Sequence, residues 1–143
     1  MDIHFYGRYL PYFEFSNFYK AEIKVDGKVY PTTEHYYQSK KYEGTEFEEK
    51  VRLCKTPSDA AAMGRDKSLP LRKDWESVKD DIMLKALRCK FEQHKNLGQI
   101  LLSTEDRIIV EWTDKDKYWA ASTNGGQNKL GQLLMKVRSE IMK

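Results

Sequence analysis

The chain has little of what would tie it to a metal, a membrane or a disulfide framework. Of its 143 residues only two are cysteine and three are histidine. Cys54 and Cys89 lack metal-type spacing, and His4, His35 and His94 are scattered, so no cluster points to zinc or another metal. The two cysteines fall in expected helices and read as reduced thiols. No apolar run is long enough for a membrane span, and no apolar N-terminal signal segment is present. Together these absences lead us to expect a cytoplasmic protein.

Several catalytic signatures are missing as well. There is no Gly-x-Ser-x-Gly elbow, and neither cysteine sits in a motif that marks a nucleophile. Gly126 and Gly131 have the spacing of half a phosphate-binding loop, but the Lys-Ser/Thr that must follow is absent, which excludes that class of nucleotide site. The excess of basic over acidic residues is small, a net charge of +3, so stable nucleic-acid binding is not expected. With no internal repeat, low-complexity tract or linker, residues 1–143 read as one domain.

What the sequence does have is aromatic and charged material in a globular balance: 40% hydrophobic, 33% charged, with nine tyrosines, six phenylalanines and three tryptophans. These rings can serve a core or stack on planar ligands. Ile3 to Tyr6 alternates weakly as a short strand. Asp26-Gly27 between Ile23, Val25 and Val29 is a hairpin signal. Thr45-x-x-Glu48 has the form of a capping box, Thr56-Pro57 opens a further helix, and Gly64 reads as its stop. The longest helix is expected over residues 74–95, a short one near 97–102, a buried strand over 107–112, and a last helix from Lys129. The pattern predicts an α+β fold, mainly helical, with a small number of short β-strands and no regular βαβ alternation.

One stretch organises the rest: Pro31-Thr32-Thr33-Glu34-His35-Tyr36-Tyr37-Gln38-Ser39-Lys40-Lys41. Thr32 and Thr33 are both candidate caps of a helix, and Glu34 falls in its first turn, where the helix dipole favours a carboxylate. At helical spacing Glu34, Gln38 and Lys41 share one face, with Tyr37 beside them. That face reads either as a solvated surface or as a site for a small polar ligand. Two further acids stand out by context, Glu111 at a strand end and Asp116 beside Tyr118-Trp119. Carboxylates facing a sugar are what hydrolysis of a glycosidic bond needs. Residues 65–73 form a basic loop with Arg65, Lys67, Arg72 and Lys73, which reads as solvated surface or as a phosphate site.

Ordered blocks run through the chain: Phe15-Ser16-Asn17-Phe18, Glu34-His35-Tyr36-x-Gln38-x-x-Lys41, Met63-Gly64-Arg65-Asp66, Leu71-Arg72-x-x-Trp75-Glu76, Val110-Glu111, Tyr118-Trp119 and Asn128-x-Leu130-Gly131. In this order they resemble the YbiA-like (NADAR) family of N-glycosidases across nearly the whole length. The resemblance implies hydrolysis of an N-glycosidic bond with no cofactor and no metal. It implies a small-molecule phosphorylated ribosyl substrate, either an early riboflavin-pathway intermediate that releases ribose 5-phosphate, or an ADP-ribosylated guanine nucleobase that releases ADP-ribose. Matched by position, it implies Glu34 as the principal catalytic acid, with Glu111 and Asp116 beside it. Asn17, Lys41, Arg65, Trp75, Trp119 and Asn128 would line the pocket: Trp75 and Trp119 against the base, Arg65 with Lys67 or Arg72 on the phosphate, and Asn17 and Asn128 on ribose hydroxyls. One departure is visible. Where the family commonly has Gly and then an acidic residue, this chain has Ala120-Ala121-Ser122, and a methyl there would narrow the backbone's approach to a ligand. A non-catalytic module that binds ADP-ribose or a related nucleotide is the alternative reading, and a nucleic-acid-binding module using the basic loop a weaker one. No feature fixes the oligomeric state.

Overall fold

The structure is a computed structural model that describes residues 1–142. Among these residues the chain forms four short strands and six α-helices, as the sequence pattern predicts. They fall into two compact units, Lys20–Gln93 and Met1–Tyr19 together with the chain from His94 onward. No helix of the described residues is long and apolar enough to cross a membrane.

In the unit Lys20–Gln93, strands β2 (Ile23–Val25) and β3 (Lys28–Tyr30) form the expected hairpin. Asp26 and Gly27 both take positive φ, 51° and 83°, the combination that matches a two-residue turn to strand twist. The hairpin buries Ile23, Val25 and Tyr30 and feeds the chain into α1 (Thr33–Lys40). Thr32 is the cap: its Oγ1 accepts from the His35 backbone N–H at 3.2 Å.

Helix α1 is not the solvated amphipathic helix its composition allows. Every residue from Thr33 to Ser39 is buried, because α2 (Glu46–Arg52), α3 (Pro57–Gly64) and α4 (Trp75–Gln93) all pack against it. A helix buried all round is ordinarily apolar, yet this one carries Thr33, Glu34, His35, Gln38 and Ser39. Their polar atoms must therefore find partners inside the protein. Ser39 Oγ donates to the Tyr36 carbonyl at 2.7 Å. His35, with no exposed surface, has one ring nitrogen 2.8 Å from Thr32 Oγ1 and the other 3.0 Å from the Cys54 carbonyl. Since a carbonyl only accepts, Nε2 carries the proton and Nδ1 accepts from the Thr32 hydroxyl.

The surrounding caps are local. Thr45 Oγ1 accepts from Phe47 N–H at the start of α2, while Glu48 reaches back to Gly44 N–H, one residue outside the usual capping box. Thr56 caps α3 through Asp59 N–H, with Pro57 at its first position. Gly64 ends α3 but not by the expected left-handed stop, for its φ is not positive and Arg65 continues in the helical region. Glycine is required there for space: a Cβ would overlap Gln38 Oε1. Two apolar clusters fill the unit, one of Ile23, Val25, Tyr30, Tyr36 and Ala86, the other of Tyr42, Val51 and Ala60.

In the other unit, β1 (Ile3–Phe5) pairs in parallel with β4 (Ile109–Glu111), Ile3 opposite Ile109 and Phe5 opposite Glu111. Helix α6 (Lys129–Ile141) packs on β4 and on α5 (Lys95–Ser103). Leu97, Leu101, Ile109, Leu130 and Leu134 supply its buried apolar surface. Arg138 is buried beside them, its Nη1 donating to Thr104 Oγ1 and to the Arg107 carbonyl at 2.9 and 2.8 Å.

His35 sets a pH limit on stability. Burial pushes its imidazole below the ordinary value of 6.5, against the upward pull of the Cys54 carbonyl and Asp59. The unfolded chain takes up this proton as pH falls through about 6.5, while the folded chain resists it, so stability is full above that pH and is lost below it. Urea denaturation at pH 7.5 and 5.5 should show the loss. His35→Leu should cost about 1–3 kcal/mol at pH 7.5, from two deserted buried partners, and should flatten the dependence.

Candidate active site

Glu34 stands in the first turn of α1 with 8% of its surface exposed. One turn on, Gln38 Nε2 donates to Glu34 Oε2 at 2.8 Å. Because a carboxylate only accepts, this contact fixes which end of the carboxamide faces Glu34. The other end, Gln38 Oε1, is buried and has no hydrogen-bond partner among the described residues. A buried carbonyl left this way costs about 1–3 kcal/mol.

Lys41 closes α1. Its Nζ donates to the Gly64 carbonyl at 2.9 Å and lies 5.8 and 5.7 Å from the rings of Tyr37 and Trp75. Burial lowers its pKa most, the Glu34 carboxylate pulls it back up, and Arg65 and Lys79 lower it further. The two residues thus share one electrostatic environment. Trp75, at the start of α4, is 5% exposed and meets Tyr37 edge-on, 5.0 Å between centroids.

Beside this cluster lies a cavity of about 330 Å³ whose wall includes Lys41, Gly64, Arg65, Lys67, Trp75 and Glu76. Glu34 is outside that lining, on the same helix as Lys41. Arg65 and Lys67 are exposed and line the cavity. Arg72 does not: its Nε and Nη2 form a fork on Asp74 at 2.6 and 3.0 Å, Nη1 reaches Glu43 at 3.3 Å, and its backbone N–H donates to the Lys41 carbonyl. Of the cations of the basic loop, Arg72 serves to fold the loop itself.

The remaining candidate residues belong to the other unit. Asn17 follows Ser16 in a turn where Ser16 Oγ accepts from Phe18 N–H, and it is half-buried. Glu111, also half-buried, ends β4. Asp116 Oδ1 accepts from the backbone N–H groups of Tyr118 and Trp119 at 2.9 and 2.8 Å, a turn that orients these two rings edge-on at 5.0 Å. Asn128 takes φ 51° at the entrance of α6 and gives that helix no side-chain cap. Its carboxamide is engaged at both ends by β4: Nδ2 donates to the Ile109 carbonyl at 2.9 Å and Oδ1 accepts from Glu111 N–H at 3.1 Å. Gly131 makes room for this, since a Cβ there would overlap the Ile109 carbonyl and the Asn128 carboxamide.

Within their units, then, Glu34, Lys41, Arg65 and Trp75 gather around α1, while Asn128 holds Glu111 and Asp116 holds Trp119. The sequence reading placed Gln38 on the face of Glu34 without giving it a task; the four-residue spacing was the available signal. Gly64 gave no such signal, because its tight partner is distant in sequence. Among the described residues no group of three or more His, Cys, Asp or Glu side chains is placed to hold a metal ion.

Asn128→Ala removes both bonds to β4 and leaves two half-buried backbone groups of the strand without that partner. It should lower stability by about 1–3 kcal/mol in urea denaturation. Asn128→Asp should cost at least as much as Asn128→Ala, because one carboxylate oxygen can still take the Glu111 N–H but the other is set against the Ile109 carbonyl.

Comparison with known proteins identifies the family. The NADAR domain model matches residues 4–142. The chain is 49% identical over 140 residues to the N-glycosidase YbiA of Escherichia coli, covering 97% of this chain and 88% of that one. It is 40% identical over 145 residues to the N-glycosidase Npun_R5314 of Nostoc punctiforme, covering 99% and 93%. It is 38% identical over 156 residues to the chloroplastic riboflavin biosynthesis protein PYRR of Zea mays, covering 98% of this chain and 25% of that one. The NMR structure of Escherichia coli YbiA superposes with a TM-score of 0.90 at 48% identity, over 99% of this chain and 87% of that one. With the family match spanning nearly its whole length and the same mainly helical α+β fold, the chain belongs to the NADAR domain family.

Proposed function

We propose that this chain is an N-glycosidase that hydrolyses the bond between ribose and a base nitrogen in a phosphorylated N-ribosyl compound. The observation that carries the reading is Glu34, a carboxylate buried at a helix start, held by Gln38 and set beside Lys41 and a cation-lined cavity. The names of the relatives support the reaction class. The match over residues 4–142 supports treating residues 1–143 as one functional domain.

In this reading water attacks the anomeric carbon as the carbon–nitrogen bond breaks and charge of oxocarbenium type develops on the sugar. The negative charge of Glu34 stabilises the sugar as the base departs with the electron pair of the carbon–nitrogen bond; Glu34 then takes the attacking water's proton, which passes to the base nitrogen. Arg65 and Lys67 receive the phosphate from the cavity wall. Trp75 presents only its exposed margin to the base, since most of its ring is packed on Tyr37 and Lys41. Asn17, Glu111 and Trp119 keep the substrate contacts that the family resemblance implies. We assign Asn128 and Asp116 to positioning, Asn128 because both ends of its carboxamide bond β4, and Asp116 because its Oδ1 holds the Tyr118-Trp119 turn. The free thiols Cys54 and Cys89 suit a cytoplasmic setting.

The substrate falls in one of two branches. The riboflavin biosynthesis names of the Zea mays and Vibrio vulnificus relatives favour a ribosylated pathway intermediate. An ADP-ribosylated guanine offers the same ribose–nitrogen bond with a longer phosphate arm. Mass spectrometry of ribose 5-phosphate or ADP-ribose released from each substrate separates them. Glu34→Gln should lower turnover at least about a hundredfold. Turnover at the parent rate in that variant refutes the role of Glu34, and saturable binding without release from either substrate supports a nucleotide-binding module instead.

The two arginines of the basic loop should behave oppositely. Arg65→Ala should raise KM for the phosphorylated substrate, about tenfold or more, with a smaller change in kcat, because a charge-assisted contact to the phosphate is lost. Arg72→Ala should leave KM near the parent value and lower stability by up to about 1 kcal/mol, the worth of an exposed ion pair.

A further inference from the structure

We propose that Gln38 is the positioning residue of the reaction, and that Gly64 is glycine so that the Gln38 carboxamide can lie where it holds Glu34. The inference rests on Glu34 as the catalytic carboxylate and adds two residues to its machinery.

The carboxamide is gripped at both ends. Nε2 donates to Glu34 Oε2, and Oε1 occupies the space that a side chain at position 64 would fill. Turning the amide over would set two acceptors, Gln38 Oε1 and the Glu34 carboxylate, against each other, so only one orientation is compatible with an ionised Glu34. That orientation leaves Oε1 buried without a hydrogen-bond partner among the described residues. A methionine of similar length would pack against α3 without that burden. Such an unsatisfied group in a native protein calls for an explanation, and here it keeps the amide turned so that Nε2 donates to Glu34 Oε2.

Gly64 fits the same account. It lies in α3 without a positive φ, where alanine is the better helix former and no turn demands glycine. What it supplies is a bare Cα for the Gln38 carboxamide and a carbonyl for Lys41 Nζ. One residue at the end of α3 thus sets two polar side chains of α1, Gln38, which bonds Glu34, and Lys41, which shares its field.

Charged groups on the neighbouring elements enter the pH behaviour. They are Lys41 on α1, Arg65 after α3, and Glu76 and Lys79 on α4, all of which act on this cluster; Glu48 of α2 is committed to Lys40 at 2.7 Å. A substitution at Gln38 leaves each of these groups in place, so a shift seen in the Gln38 variants belongs to the Glu34–Gln38 bond.

The test is a set of variants assayed for release of ribose phosphate across pH, with melting curves as a folding control. Gln38→Met removes the donor and keeps the length. It should lower kcat about tenfold to a hundredfold, the worth of a hydrogen bond to a charged group, with KM within about threefold. The acid limb of its pH–rate profile should move to higher pH, because a donor to the ionised form has gone. Gln38→Glu should move it further by adding a second carboxylate. Gly64→Ala should lower kcat in the parent by displacing the carboxamide, yet should add no loss once Gln38→Ala has removed the collision, a coupling that separates positioning from general destabilisation. If Gln38→Met does not fold, the cycle of Gly64→Ala with Gln38→Ala decides alone. Parent kcat and an unmoved acid limb in Gln38→Met, or simple additivity in the cycle, overturns the inference. Loss of turnover in Glu34→Gln alongside either result leaves the glycosidase reading standing, whereas parent turnover in Glu34→Gln removes the reading on which the inference rests.

Discussion

The structure of the unit Lys20–Gln93 depends on one constraint: a polar helix is buried on all sides. Removing Glu34, His35, Gln38 and Ser39 from water is unfavourable unless each finds a partner, and the partners come from different elements. His35 takes Thr32 ahead of α1 and the Cys54 carbonyl after α2, and at the end of the helix Lys41 Nζ takes the Gly64 carbonyl of α3. The ends of α2 and α3 are therefore set by the hydrogen-bonding needs of α1 as well as by apolar contact. Tyr36 and Tyr37 supply the apolar share of the same helix, against Tyr30 and Trp75 respectively. This is why a helix with hardly any amphipathic pattern sits at the centre of its unit.

That burial also creates the electrostatics of the site. A carboxylate and an ammonium on one helix would be weakly coupled in water, but near a wall of Tyr37 and Trp75 their interaction is less screened. The depressed pKa of Lys41 records the balance, desolvation against the attraction of Glu34. Arg65 and Lys67 stay exposed on the cavity wall, where they are open to an anionic partner. Arg72, forked on Asp74 and bonded to Glu43 and the Lys41 carbonyl, is suited to holding that loop on α1.

What was legible in the sequence was local. Asp26-Gly27 dictated its turn, Thr32, Thr45 and Thr56 capped the helices they precede, and the apolar spacing of α6 placed it correctly, because each signal involves residues a few positions apart. The parallel pairing of Ile3–Phe5 with Ile109–Glu111 left no such trace: three residues carry too little alternation, and the partners lie a hundred positions apart. Gly64 has the sequence signature of a helix stop because glycine usually ends helices by its freedom at positive φ, whereas here it serves steric clearance for a residue of another helix. Asn128 was read as a ligand contact on resemblance, and only the fold places its carboxamide on the backbone of β4. Glu34 was marked by its place in the first turn, but what holds it, Gln38, had to be seen in three dimensions.

The substitution of Ala120-Ala121 for the family's usual pair has a different meaning in the fold than in the sequence. A methyl at 120 would hinder a ligand only if it faced one, and Ala120 has no exposed surface. Its carbonyl accepts from Asn128 N–H, and the next residue, Ala121, donates to the Glu111 carbonyl and accepts from Thr113 N–H. The backbone is thus fixed by β4 and the entrance of α6, and the methyl of Ala120 is absorbed into the interior. Close approach in this loop is provided instead by Gly126, which at φ 127° lies against the Ala120 carbonyl and Ala121 Cα, where any Cβ would collide. What stands at the half-buried position 121 is a methyl, and the backbone at 120 is held by hydrogen bonds on either side. The departure therefore changes which side chain stands at position 121 and leaves the backbone path of the loop intact.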